Sequence, residues 1–331
     1  MNKKDWSTYI FDPAISFAER CREVYQFQKG RNRFYSKFSE VLGYAKSTEI
    51  EPDKIPLLPI RAFKQGKILT EGSFPQIAFK SSGTGSMEQS IHYVHDTLIY
   101  KQAINRAFYT RFPKDKYALL CHLPGYNENP DSSLIWMMKH LISEDKSGLS
   151  TFRDDYAMNP EKWEYQVKKS GKITLLFGAA FGLIDLIEEG SYLFTEPVEI
   201  IETGGMKTYR REITKKELRN TIAEYFQVPL ESIHSEYGMC ELLSQMYALG
   251  SEWFTAPEWV QVTIRDPENP GRICSAGEEG KIGVIDLANI YSCPFILTED
   301  RGVADESGRF KVLGRWNHDN PRGCNFLIDR D

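Results

Sequence analysis

The chain has 331 residues, 41% of them apolar and 26% charged, with a net charge of −5 and both signs interspersed; this composition indicates a globular protein with a sizeable core and argues against general nucleic-acid binding. No apolar run approaches the roughly 20 residues of a membrane helix, and the N-terminus lacks the apolar stretch of a secretory signal, so we expect a cytoplasmic protein. The six cysteines form no C-x-x-C pair, which favours neither a zinc site nor a disulfide framework.

The first hundred residues are predicted to be helical, then extended, then mixed. Apolar residues recur at helical spacing before residue 47, and three prolines follow within eight residues. An aspartate ahead of the next periodic stretch is a typical helix N-cap. The predicted elements are helices within 13–47, an extended segment from Pro52 to Pro59, strands at 68–69, 77–79 and 92–94, and a helix from its N-cap Asp96 through Phe108.

Strands and helices alternate from about residue 115 to 250, a pattern typical of an α/β fold with a mostly parallel sheet and helices on both faces. The last 80 residues instead favour strands joined by turns. The predicted strands lie at 117–121, 172–178, 198–202, 233–237, 260–265, 280–287 and 310–314, and the predicted helices lie at 132–142, 180–188, 215–226 (capped by Thr214) and from the end of the 233–237 strand through Leu249.

A run of glycines and hydroxyl residues follows the strand at 77–79. Glycines allow the backbone N–H groups to form a concave anion site, and the hydroxyls add further donors. The run is neither a G-x-x-x-x-G-K-[ST] loop nor a G-x-G-x-x-G loop, and a plain hairpin turn is the alternative interpretation. The candidate phosphate-binding residues are Ser81, Ser82, Gly83, Thr84, Gly85 and Ser86.

Four further motifs follow predicted strands, where ligands of α/β sheets bind. Each also has a plain structural interpretation as a turn or a helix start. Gly204-Gly205 would let a flat group approach the backbone. Glu241, in the first turn of the predicted helix, is a candidate divalent-cation ligand. The remaining candidates are Asp300, read as a turn residue that accepts hydrogen bonds from ribose hydroxyls, and Arg315, a phosphate partner after Gly314.

The order of these motifs resembles that of the adenylate-forming enzymes, which couple a carboxylate to AMP using ATP and magnesium. The resemblance implies a large N-terminal domain with mostly parallel sheets flanked by helices and a small β-rich C-terminal part. It assigns 1–250 to nucleotide and carboxylate binding, 251–315 to a subdomain that completes the ATP site, and 316–331 to a tail. It implies an adenine and magnesium motif formed by Glu236, Tyr237, Gly238, Met239, Cys240 and Glu241, with Thr84 and Glu241 as catalytic residues that hold Mg²⁺.

A narrower resemblance is to the acyl-protein synthetases, the long-chain fatty acid–protein ligases of bacterial bioluminescence and their relatives. It rests on the segment from Leu58 to Lys64, the glycine loop, 202–205, 236–239 and Arg322-Gly323-Cys324. Two departures accompany it. The loop lacks one threonine of the usual Ser-Gly-Thr-Thr-Gly, and the further C-terminal domain of larger adenylate-forming enzymes, with its lysine, is expected to be absent or reduced to a tail.

The resemblance implies that Cys324 is the nucleophile that accepts the acyl group as a thioester. A nearby arginine would favour the thiolate, which is the reactive form. A terminal strand with a buried cysteine is the alternative. His122 and Gly205 are candidate carboxylate-pocket residues, whereas His92 and His95 lack a third ligand for a metal. The resemblance implies a fatty acid–protein ligase, with an acyl reductase, acyltransferase or acyl carrier protein as partner. The alternatives are a coenzyme A or carrier-protein ligase with a structural Cys324, and a non-catalytic nucleotide-binding subunit.

Overall fold

The computed structural model describes residues 4–44, 50–81, 89–124, 129–190, 194–204 and 214–316. The α-helices are α1 Trp6–Tyr9, α2 Phe17–Arg31, α3 Arg33–Val41, α4 Ala62–Gln65, α5 Thr97–Tyr109, α6 Ser133–Glu144, α7 Arg153–Tyr156, α8 Pro160–Ser170, α9 Ala180–Glu189 and α10 Lys215–Phe226. The strands are β1 Leu58–Pro59, β2 Ile77–Lys80, β3 Ile91–Val94, β4 Tyr117–His122, β5 Thr151–Phe152, β6 Ile173–Ala179, β7 Val198–Thr203, β8 Ile233–Tyr237, β9 Met246–Ala248, β10 Val260–Arg265, β11 Gly280–Asp286, β12 Phe295–Ala304 and β13 Phe310–Arg315.

The larger sheet has the order β5-β4-β6-β7-β8-β9, and every pair in it is parallel except β8 and β9. Its strands alternate with helices along the chain, so the predicted α/β fold is confirmed. The helix caps also follow the sequence, because Asp96 accepts a hydrogen bond from the Leu98 N–H and Thr214 accepts one from the Glu217 N–H.

The two faces of this sheet belong to two hydrophobic clusters. Alternate residues of β4 divide between them, with Leu120 in the cluster formed with α8, α9 and α10, and Leu119 in the cluster that also contains α5 and α6. Because side chains alternate across a strand, a sheet covered on both faces needs the continuous apolar runs that β4 and β6 carry. The sheet is therefore buried on both sides, and its strand ends are left to form a site.

The second sheet has the order β1-β12-β11-β10, with β13 paired to the other part of β12. Its β1 comes from the N-terminal part of the chain and runs parallel to β12, with Leu58 opposite Ile296 and Pro59 opposite Leu297. The same hydrophobic cluster contains residues of α2, such as Tyr25, and of β12, such as Phe295. The β-rich part thus shares both a sheet and a core with residues from the start of the chain.

Three predicted elements are wrong. Residues 68–69 form no strand, and no helix follows β8, because 238–245 is a series of turns that leads into β9. Asp300 lies within β12 rather than in a turn, beside a register shift between Arg301 and Gly302. Among the described residues, no helix is long and apolar enough to cross a membrane.

Candidate active site

The carboxyl ends of four parallel strands meet at one edge of the larger sheet. The strand register places His122 opposite Gly178, Gly178 opposite Glu202, and Thr203 opposite Glu236. Such an edge, flanked by the loops that leave each strand, is where open α/β sheets bind ligands. It holds most of the candidate residues that the structure describes.

Tyr237, Asp300 and Arg315 form one hydrogen-bonded group at this edge. The Tyr237 hydroxyl donates to Oδ2 of Asp300 at 2.8 Å, and Nε of Arg315 donates to Oδ1 of the same carboxylate at 3.3 Å. Burial and the neighbouring Asp300 carboxylate raise the pKa of Tyr237, so its hydroxyl keeps its proton. The Arg315 side chain is 82% exposed, whereas that of Asp300 is 14% exposed. The arginine can therefore move away and leave one carboxylate oxygen to a ligand.

Glu241 lies in the turns after β8, with only 5% of its surface exposed. Its carboxylate accepts a hydrogen bond from Ser90, and Arg315 and Lys64 act on it electrostatically. Burial outweighs these contributions and raises its pKa. A buried carboxylate that is costly to ionise favours a cation beside it, so Glu241 fits the prediction of a metal ligand. Arg315 connects Glu241 electrostatically with Asp300.

Two residues from a distant part of the chain, Asp286 and Asn289, hold the turn that carries Glu241. Asp286 accepts hydrogen bonds from the N–H groups of Leu243 and Ser244 at 2.9 and 3.0 Å. The side-chain amide of Asn289 donates to the carbonyl oxygen of Glu241 at 2.7 Å. These bonds satisfy backbone groups that a helix would pair internally, which is why a helix does not form here.

His92 also holds this turn. Its Nδ1 lies 2.8 Å from the carbonyl oxygen of Cys240, and its Nε2 lies 2.8 Å from Oδ1 of Asn289. Burial lowers the pKa of His92 to about 4, so the ring is neutral at pH 7. Within the described ranges, no three His, Cys, Asp or Glu residues are grouped to bind a metal, and the histidines at 92 and 95 make protein contacts instead.

The stem of the predicted phosphate loop lies beside Glu241. The N–H of Ser81 donates to the carbonyl oxygen of Ser90 at 3.0 Å, and the N–H of Ser90 donates to Oγ of Ser81 at 3.0 Å. These bonds extend the antiparallel β2-β3 pair, and Ser90, just before β3, contacts Glu241. Several predicted site residues lie outside the described residues: Ser82, Gly83, Thr84, Gly85, Ser86, Gly205 and Cys324.

Gly204 and Gly238 are glycines for two different reasons. Gly204 has a φ of +76°, a conformation that favours glycine, and an added Cβ would have no atom of the described residues within 4 Å. At Gly238 an added Cβ would lie 2.5 Å from Oε1 of Glu236. The turn at Gly238, followed by the partly buried Met239, therefore passes directly over a buried carboxyl group.

Two neighbouring acids are buried beneath these turns. Glu236 is 5% exposed and accepts a hydrogen bond from Oγ1 of Thr203, and burial raises its pKa to about 7. Glu202, on the adjacent strand, is fully buried and binds Lys215 and Ser235. Its Oε2 accepts no hydrogen bond from the described residues. Sequence analysis named Glu236 in the adenine and magnesium motif and Glu202 in the 202–205 segment, but no local pattern indicated that both carboxyl groups are buried side by side.

Stability should therefore depend on pH through Glu236. The pKa of Glu236 in the folded state, about 7, exceeds its ordinary value of 4.5. The contribution of its protonated form to folding stability is therefore complete below about pH 4.5 and is lost as the pH rises through 7. In Glu236→Gln the amide oxygen still accepts from Thr203, but nothing ionises. We expect the free energy of unfolding of this variant, measured in urea, to rise by roughly 1–3 kcal/mol relative to that of wild type between pH 5 and pH 8. Parallel pH profiles for wild type, Glu236→Gln and the exposed control Glu306→Gln would contradict this.

His122 lies at the same sheet edge but apart from the other candidates. It is separated from β8 by two strands, which places it roughly 14 Å away at the usual strand spacing. Its Nε2 lies 3.1 Å from the carbonyl oxygen of Gly182, and burial, together with Arg153, lowers its pKa. The structure therefore brings Tyr237, Asp300, Arg315 and Glu241 together and leaves His122 outside this group.

Sequence reasoning missed the residues that support the site from a distance, namely Ser90, His92, Asp286 and Asn289. It used the segment from Leu58 to Lys64 only as a mark of resemblance. In the structure this segment reaches the site, because Arg61 forms an ion pair with Glu299, the neighbour of Asp300. The sequence signal for this role was the pair of basic residues Arg61 and Lys64 around Phe63, which the structure shows to be buried.

Comparison with known proteins adds a family and a fold. The sequence model described as "Acyl-protein synthetase, LuxE" matches residues 164–331, more than half of the chain. No curated protein sequence matches. The structure resembles 2-hydroxyisobutyryl-CoA ligase in complex with 2-HIB-AMP and CoA, with a TM-score of 0.65, 12% identity, and coverage of 90% of this chain and 67% of that chain.

A second similar structure is ATP-bound MatB from Rhodopseudomonas palustris. It has a TM-score of 0.50 and 17% identity, with coverage of 72% of this chain and 47% of that chain. The matched region thus spans about half the length of MatB. At these identities the likeness shows a shared fold.

Proposed function

The chain belongs to the acyl-protein synthetase family, and on that premise we propose that it activates a carboxylic acid with ATP and transfers the acyl group to a protein thiol. One observation carries the proposal. Tyr237, Asp300 and Arg315 share one hydrogen-bonded group, and Arg315 also acts on the buried Glu241. These contacts link residues from three separate segments, which supports a single nucleotide site at the sheet edge.

The first step would join the acid to AMP. A carboxylate oxygen attacks the α-phosphorus of ATP, the new bond links the acyl group to the phosphate, and the bond to the β-phosphate breaks to release pyrophosphate. Charge develops on the phosphate oxygens during this step, so preorganised donors lower its barrier. We propose that Ser81, Ser82, Gly83, Thr84, Gly85 and Ser86 supply these donors.

The nucleoside would be held by the residues after β7 and β8. No atom of the described residues lies within 4 Å of an added Cβ at Gly204, which would allow a flat base to approach, with Gly205 and Tyr237 completing the frame. Asp300 would accept the ribose hydroxyls once Arg315 moves to the phosphates, since the carboxylate now divides its oxygens between Tyr237 and Arg315. Glu236, Gly238 and Met239 would shape the floor of this site.

The buried Glu241 fits Mg²⁺, which proteins commonly bind through one or two carboxylates together with phosphate oxygens. Glu241 and Thr84 would hold the ion. Mg²⁺ neutralises phosphate charge when it is bound. Because burial raises the pKa of Glu241, its carboxylate is best stabilised by a positive neighbour.

The second step would form a thioester on Cys324. The thiolate attacks the carbonyl carbon of the acyl-adenylate, a carbon–sulfur bond forms, the bond to AMP breaks, and the thiol proton passes to solvent. The acid would be a fatty acid, with His122 and Gly205 lining its path. An acyl reductase, an acyltransferase or a carrier protein would take the acyl group onward.

The test measures pyrophosphate exchange and protein acylation in wild type and in two cysteine variants. Wild type should exchange labelled pyrophosphate into ATP in the presence of a suitable acid from a panel of chain lengths, and should become acylated. We expect Cys324→Ala to keep this exchange within about threefold and to lose protein acylation by more than 100-fold, because only the second nucleophile is removed. Cys274→Ala, which changes a buried cysteine in the β-rich sheet, is the matched control.

Two outcomes would contradict parts of the proposal. Acylation that persists in Cys324→Ala would exclude this cysteine as the acceptor and favour coenzyme A or a carrier protein. Binding of ATP without any acid-dependent exchange would favour a non-catalytic nucleotide-binding subunit.

A further inference from the structure

We propose that Lys64 binds the β- and γ-phosphates of the nucleotide and stabilises the pyrophosphate as it leaves. The proposal rests on the function proposed above and adds a residue that the family motifs of the nucleotide site do not contain. It follows from how the segment from Leu58 to Lys64 is fixed against both halves of that site.

One end of the segment is fixed to the strand that carries Asp300. Leu58 and Pro59 pair in parallel with β12, and the N–H of Ile60 donates to the carbonyl oxygen of Leu297 at 2.9 Å. Arg61 then forms an ion pair with Glu299, the residue before Asp300. The chain therefore leaves β1 directly beside the proposed ribose site.

The other end is fixed to the turn that carries Glu241. Phe63 is 1% exposed, and its ring lies edge-on to that of His92, with 5.7 Å between the ring centroids. His92 in turn contacts the carbonyl oxygen of Cys240, immediately before Glu241. Because Lys64 follows the buried Phe63, its backbone position is set relative to Glu241 by a chain of packed side chains.

The charges at this point suit a polyphosphate. Lys64 is exposed and acts electrostatically on the buried Glu241, as Arg315 does. By contrast, Lys80 is paired with Asp131 at 2.7 Å, and Lys67 lies over the ring of Tyr93 at 5.3 Å. Lys64 makes no ion pair within 4 Å to another described residue. It can therefore give its charge to a ligand without breaking an ion pair to the part of the chain that the structure describes.

The balance of charges around the proposed nucleotide site also favours a role for Lys64. Glu241, Asp300 and Glu299 place three carboxylates near a space that we assign to a polyanion, and Arg61 and Arg315 pair with two of them. A phosphate chain needs further positive charge that is not already engaged, since anions bind where charge-assisted donors converge. Lys64 supplies it from the position after Phe63, whose ring packs against the His92 that holds the turn carrying Glu241.

The test compares Lys64→Ala, Lys64→Arg and the matched control Lys67→Ala, which changes an exposed lysine three residues away. Acid-dependent ATP–pyrophosphate exchange should fall roughly 30- to 100-fold in Lys64→Ala, mostly through kcat/KM for ATP. Lys64→Arg should recover most of it, and Lys67→Ala should stay within about threefold of wild type. Thermal unfolding of all three should match wild type, because both lysines are exposed.

Binding of ATP and AMP separates this proposal from the proposed function. AMP lacks the β- and γ-phosphates, so Lys64→Ala should bind AMP as wild type does and lose about tenfold or more in its preference for ATP. An unchanged ATP preference in Lys64→Ala would overturn the assignment of Lys64 even if wild type performs exchange. A wild type that prefers ATP through Lys64 but exchanges with no acid would overturn the proposed reaction and leave the Lys64 assignment standing. A wild type that binds neither nucleotide would overturn both.

Discussion

Replacing Glu241 with Gln is expected to lower acid-dependent ATP–pyrophosphate exchange by roughly 100- to 1,000-fold. Gln has nearly the same shape, and its amide oxygen still accepts the hydrogen bond from Ser90. The variant therefore loses only the negative charge of the carboxylate, which we propose binds Mg²⁺. Exchange measured over a range of Mg²⁺ concentrations should show that the variant needs more of the ion than wild type does.

The fold should tolerate this change. Burial raises the pKa of Glu241, which means that the folded state disfavours the charged form, so an uncharged replacement should not lower the thermal unfolding temperature at pH 8. Glu306→Gln, an exposed acid between β12 and β13, serves as the control. If Glu241→Gln retains exchange within threefold and the same Mg²⁺ dependence, Glu241 is not the metal ligand.

Replacing Asp286 with Asn is expected to reduce the free energy of unfolding by about 1–3 kcal/mol at pH 8, because the buried N–H groups that lose an acceptor cost more than is regained by removing a carboxylate whose pKa burial raises to about 6. Asp286 is fully buried and accepts four hydrogen bonds. They come from the N–H of Leu243, from both the N–H and the hydroxyl of Ser244, and from the N–H of Ala288. In either orientation, the NH₂ group of Asn would face donors that it cannot satisfy, so buried N–H groups would lose their acceptor.

The matched control is Asp305→Asn. Asp305 accepts a similar set of bonds, from the N–H and the hydroxyl of Ser307 and the N–H of Arg309, but in an exposed turn where water can replace them. We expect a loss below about 1 kcal/mol for it in urea unfolding. Exchange activity should also fall in Asp286→Asn, because the turn that carries Glu241 loses its support. Equal unfolding midpoints for the two variants would contradict this account of the turn.

Much of the fold could be predicted because the evidence for it is local. The apolar runs at 117–121 and 172–178, the cap residues Asp96 and Thr214, and the alternation between them all reflect interactions within a few residues. Such interactions do not depend on which strand lies beside which, so local patterns alone found β4, β6, β7 and β8 of the larger sheet, although they missed β5 and β9. The same locality let the motifs at Tyr237, Glu241, Asp300 and Arg315 be named before their neighbours were known.

The conformations of the site residues were decided by contacts between distant segments. The sequence favoured a helix after β8, but Asp286 and Asn289 take the hydrogen bonds of 238–245, and His92 contacts the same turn. Asp300 was predicted in a turn, yet pairing with β13 keeps it in a strand. The sequence by itself determined the candidate site residues and the order of β4, β6, β7 and β8 along the chain. Only the tertiary structure decided that Glu241 lies in a turn held by Asp286, Asn289 and His92, because these partners lie far away in the sequence and propensity cannot register them.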